Sequence, residues 1–158
     1  MNEEDLKHLD SVLEHIETVQ KYMKKIAKIL LEQGDASLYR ELYAAAQIHD
    51  NSKISNEIEF LYLRSSTKEK DPEKFFMALK CHQSNNSHHI EYHQCVSDMT
   101  DVQLIEMICD WRARSVEQNT NILDWVKEFC KIHNISKQGK DWKRIKKYIN
   151  MLIEEKFK

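Results

Sequence analysis

The chain has 158 residues, with 24 basic against 26 acidic side chains and a formal charge of -2. That is the size of one ordinary domain whose core needs no staple, and interspersed charges of both signs give no global pull toward nucleic acid or an anionic membrane. Two glycines and one proline leave too little turn chemistry for a hairpin-built fold, and four cysteines without a C-x-x-C pair are no disulfide framework.

The composition therefore predicts an all-α protein, a single helical domain over residues 1–158, with free thiols in a reducing, cytoplasmic compartment. The start MNEEDLKHLD is acidic, unlike a signal peptide, and no apolar run approaches the length of a membrane span. Leu6, Leu9, Leu13, Ile16, Met23, Ala27 and Leu30 recur at helical steps and predict a long helix over residues 4–33, with Gly34 as its stop. Asp35 or Ser37 can cap the next helix, whose face carries Leu38, Leu42, Ala45 and His49, with Asp50 on the adjoining edge. The adjacent His49 and Asp50 are expected to end that helix, neither pointing to open water.

A short third helix is expected from Ser55 or Asn56, with Glu59 reaching back as a capping partner. Asp71 and Pro72 open another that runs toward His82 and breaks up in QSNNSHH. Thr100 and Gln103 fit a capping box for TDVQLIEMICDWRARS, and two amphipathic segments close the chain over residues 119–157. The second of them aligns Trp142, Ile145, Ile149 and Leu152; an exposed stripe there would support a homodimer, and packing onto the same core explains it equally well. The basic KQGKDWKRIKKY reads first as a solvated helix face.

The chemistry lies in polar residues that stand where a helix wants apolar ones. His15 sits among Val12, Ile16 and Val19, and Asp110 interrupts the apolar run around Ile105, Ile108 and Trp111, with Glu106 one turn earlier on its face. Burying such groups unpaired is costly. A divalent ion satisfies imidazole nitrogens and carboxylate oxygens together. Four of the eight histidines crowd into residues 82–93, which supplies His82, His88 and His89 as further ligands. His88 and His89 point about 100 degrees apart if helical, so one of them is expected to ligate. His89 and His93 are spaced like a helical zinc pair or a surface pair, and His8 and His133 read as ordinary histidines, with His8 also a candidate to support a ligand from outside the metal's own shell. Arg112 and Arg114 read first as solvated.

In this ordered set the chain resembles the HD superfamily of metal-dependent phosphohydrolases. Those helical domains carry a histidine on an early helix, an adjacent His-Asp pair ending the next and a distant aspartate on a later helix, here His15, His49-Asp50 and Asp110. HDNSK and HHIE look like the segments of relatives that hydrolyse cyclic dinucleotides, with the glutamate displaced by one. The combination with EMICDW is similar to a compact HD-like group of bacteria and phages, and the likeness covers roughly residues 10–115. It implies one or two divalent ions, of Mn, Fe, Zn, Co or Mg. His15, His49 and Asp110 would hold one, His82 with His88 or His89 the other, and Asp50 would bridge them. It also implies a small-molecule phosphoester substrate, a nucleotide, a cyclic nucleotide or a related ester, attacked by hydroxide, since a bound water drops from a pKa of about 15.7 to about 7.

Within that implied mechanism Lys53 would hold a substrate phosphate, or else would face water at a helix end. Glu106 would accept a proton or orient a ligating histidine, the second role being preferred. Two other readings remain open on the sequence: a mixed-valent di-iron oxygenase using the same ligand order, and a non-enzymatic helical binding module with a structural polar core.

Overall fold

A computed structural model describes residues 2–153. Among them the regular structure is entirely helical. Asn2 and Asp5 close a capping box at the start of α1 (Glu3–Glu32), where three acidic residues also face the positive end of the helix dipole. Gly34 ends the helix at φ +88, with the Asp35 amide on the Leu30 carbonyl and the Gly34 amide on that of Leu31. The same termination recurs twice without glycine. Asn119 and Asn134, both at φ 52, close the later helices α7 (Asp101–Glu117) and α8 (Ile122–Ile132), so asparagine replaces the missing glycines.

Asp35 caps α2 (Ala36–Ala46) by accepting from the Leu38 amide. Sequence reasoning carries this helix through Asp50, but it stops at Ala46. Residues 47–51 form consecutive turns, in which Asp50 takes the left-handed conformation at φ 53. A single turn, α3 (Ser52–Ser55), leads to Asn56, whose side chain caps α4 (Glu57–Tyr62). The expected return contact from Glu59 is not made, because that carboxylate turns inward instead. A further short helix, α5 (Ser65–Lys70), has too few residues for a periodic signal to show. Asp71 and Pro72 open α6 (Pro72–Asn85) as their types predict, and Thr100 and Gln103 do form the capping box of α7. The last helix, α9, spans Lys140–Leu152; residues 154–157 of its expected extent lie outside the described residues.

The hydrophobic cluster joins α1, α2, α7, α8 and α9 with Val96 and Met99 from the loop before α7. The C-terminal helices pack here through Val126 and Phe129 from α8 and Trp142, Ile145 and Ile149 from α9, while Ile132 of α8 stays exposed. Helix α7 runs through the middle, with residues 104–110 all buried. None of the cluster comes from residues 47–89. Helices α3 to α6 therefore form a second layer against the first half of α1, and the seam between layers is polar: His15, His49, Asp50, Lys53, Glu59, His82, His88, Glu106 and Asp110 are all buried. Among the described residues no helix is long and apolar enough to cross a membrane.

Candidate metal centre

The seam gathers around one carboxylate. The left-handed turn at Asp50 aims its side chain inward, fully buried, and its two oxygens face different sets of rings. Oδ2 lies 3.5 Å from His15 Nε2 and 3.4 Å from His49 Nε2; His15 Nε2 is also 3.1 Å from Asp110 Oδ1. Oδ1 lies 3.3 Å from His82 Nε2 and 3.5 Å from His88 Nε2. His89 joins the second set, its donor atom lying within 4.8 Å of those of Asp50, His82 and His88. The structure thus brings together His15, His49, Asp50, His82, His88, His89 and Asp110, with both His88 and His89 at the centre. They lie in a non-helical loop, which puts their ring centroids only 4.2 Å apart.

The residues fit a cation. Nε2 of His15, His49, His82, His88 and His89, together with Asp50 Oδ1 and Asp110 Oδ1, are buried and lack a hydrogen-bond partner. Seven such atoms in one spot would be a heavy penalty in a purely structural core. The separations of 3.1 to 3.5 Å between the Asp50 oxygens and four imidazoles, and between His15 and Asp110, match the edges of a coordination polyhedron with bonds of about 2.1 Å, which are about 3.0 to 3.5 Å long.

The opposite ring nitrogens are fixed by carboxylates. His15 Nδ1 donates to Glu117 Oε1 at 2.7 Å, and His82 Nδ1 to Glu59 Oε2 at 2.8 Å. Glu106 Oε1 lies 2.8 Å from His49 Nδ1 and 3.3 Å from His88 Nδ1. In the neutral ring each contact places the proton on Nδ1 and the lone pair on Nε2, facing the centre. Glu106 thus touches two rings, His49 and His88, at once. Glu59 and Glu117 escaped sequence reasoning. Glu59 sits where a capping glutamate would, and Glu117 is 102 residues from the histidine it holds, so neither has a local signature.

Electrostatics follow from this packing. For His15, burial alone would lower the pKa; the Asp110 and Asp50 carboxylates outweigh it and raise the pKa to about 9. His88 is likewise raised, Glu106 overcoming its burial. Burial would raise the carboxyls of Asp50 and Asp110, yet Lys53 and His49 hold the first well below the usual range and His15 does so for the second. His89 goes the other way. Burial and the neighbouring His88 and His82 push it down to about 3, leaving a neutral ring.

Lys53 is not a water-facing residue at a helix end. It is 7% exposed and pairs with Asp50 Oδ2. It also lines a cavity of about 490 Å³ that opens onto His82, His89 and Asp110, with Lys68, Arg114 and Arg64, the last paired with Asp5 at 2.7 Å, among its lining residues. Arg114 is thus a cavity residue, held at 2.8 Å by Glu117, whereas Arg112 lies over the Tyr22 ring. His8 lines the cavity beside Phe60 and reaches no donor of the centre. His93 makes no helical pair with His89, its Nε2 donating to the Ser87 carbonyl at 2.8 Å. His133 packs on Phe129, away from the centre.

No curated protein and no solved structure matches the sequence. Residues 4–155 match the model of DUF5662, described as a family of unknown function, and the chain belongs to that family.

Proposed function

We propose that the protein is a metal-dependent phosphohydrolase of the HD type, acting on a small phosphoester. The observation that supports this reading is the division of donors by Asp50, with His15 and His49 facing one oxygen and Asp110 beside His15, His82 and His88 facing the other with His89 near them, and a cavity opening onto the site. His15, His49 and Asp110 would hold one divalent ion, His82, His88 and His89 a second, with Asp50 between them. Such ions acidify water to near neutrality and absorb charge on phosphoryl oxygens.

The chain's own residues do the rest. Arg64, Lys68 and Arg114 draw an anionic ester into the cavity, since positive charge on a concave wall raises the local concentration of anions. Lys53 stands between Asp50 and that cavity, so its ammonium meets an incoming phosphoryl oxygen at the centre. Glu59, Glu106 and Glu117 touch no substrate; they hold the imidazoles in the tautomer the site requires.

Metal content of protein purified without added metal, followed by a phosphoester panel with Mn, Co, Mg or Fe, tests the proposal. Two ions per chain and turnover of a phosphoester are expected, and Asp50→Asn should keep the helical circular dichroism while losing both ions and turnover. Protein isolated with two irons and an oxygen-sensitive absorption band, yet silent on every phosphoester, would overturn the proposal in favour of oxygen chemistry.

A further inference from the structure

The cationic cavity shares His89 and Trp125 with a second cavity of about 720 Å³ whose character is opposite. Its walls are Ile90, Met107, Trp111, Trp125, Phe129 and Ile132. The Trp111 and Phe129 rings meet at 4.7 Å, and Phe129 meets His133 at 4.4 Å, so one side is a continuous aromatic surface. The Trp125 indole is held by its N–H on Thr120 Oγ1 at 3.1 Å. Ile132, 63% exposed at the rim, leaves a large aliphatic side chain in water. The charged lining residues are Glu91, Asp124 and Glu128, with no lysine or arginine among them.

From this juxtaposition we propose that the substrate is a phosphomonoester of a bulky apolar or aromatic alcohol, uncharged or cationic away from its phosphate. The inference rests on the phosphohydrolase reading and names the substrate class for it. The phosphoryl group sits in the cationic cavity against the centre, and the alcohol part passes His89 into the aromatic one. Volume and lining match a small-molecule site, mostly apolar with few polar groups. Charge argues against a polyphosphate or a second phosphodiester unit crossing into it, because the lining offers an anion Glu91, Asp124 and Glu128 and no cation of its own, Asp124 and Glu128 being paired with Lys127 at 2.9 Å and Lys131 at 3.8 Å outside it. His89 and Trp125 border both cavities, which sets the aromatic one directly beside the cavity that reaches the centre.

Two non-hydrolysable probes test this on the full chain loaded with Mn: methylphosphonate and 1-naphthylmethylphosphonate, followed by calorimetry and tryptophan fluorescence. The naphthyl compound should bind at least tenfold more tightly and quench fluorescence. Ile132→Asp should remove most of that gain while methylphosphonate binds as before, and Ile132→Ser should remove a smaller part. Equal affinity for both probes, or a ratio untouched by Ile132→Asp, overturns the substrate class and leaves the hydrolase reading standing. Failure of both probes to bind the ion-loaded protein overturns the two together.

Discussion

At the scale of single residues, His15 shows how a buried ring adjusts to what surrounds it. Its pKa of about 9 stands above the ordinary value of 6.5, so in ion-free protein it stays protonated at neutrality. A raised folded-state pKa contributes stability fully below about pH 6.5 and loses it as pH climbs through about 9, at most about 3 kcal/mol for a shift of this size. Urea unfolding of chelated protein should therefore show stability falling between pH 6.5 and 9, and His15→Gln should flatten that slope. Ion uptake should run the opposite way, tightening with pH over the same window and releasing a proton. His15 and Asp110 were legible because each breaks an apolar helical stripe, a local signal. Glu59 and Glu117 were not, since an exposed-looking glutamate declares its partner only when two distant helices meet.

Elements were legible in proportion to their length and caps. The ends of α1, α6 and α7 could be read from Gly34, Asp71-Pro72 and Thr100 with Gln103, each a residue type with one local use. Helices α3 to α5 are four to six residues long, below the length at which periodicity speaks. The loop from Asn86 to Thr100 has no period at all, so the joint placement of His88 and His89 could not be anticipated. What steadies the end of that loop is Arg144 of α9, which donates to Asp101 Oδ1 at 2.8 Å, to the Met99 carbonyl at 2.6 Å and to that of Val96 at 3.3 Å. Arg144→Ala should cost about 2 kcal/mol in urea unfolding, the scale of charge-assisted hydrogen bonds to a partly buried group. Amide exchange over residues 90–100 should rise with it.

Across the whole molecule, two layers are joined by different means. The cluster of α1, α2, α7, α8 and α9 is apolar, whereas residues 47–89 contribute none of it and meet it through imidazoles and carboxylates. A ligand that binds only the folded state stabilises it by mass action, so chelation should lower the melting temperature by several degrees. Amide exchange should rise first across α3 to α6 and last in α7; uniform loosening would argue against ions at the seam. The two layers also imply an order of assembly. A newly made chain can bury its grease without any mineral, but the smaller layer, residues 47–89, must then wait for inorganic mortar. In metal-starved protein the trypsin sites at Lys68, Lys70 and Lys74 should be cut early, leaving the long helices intact.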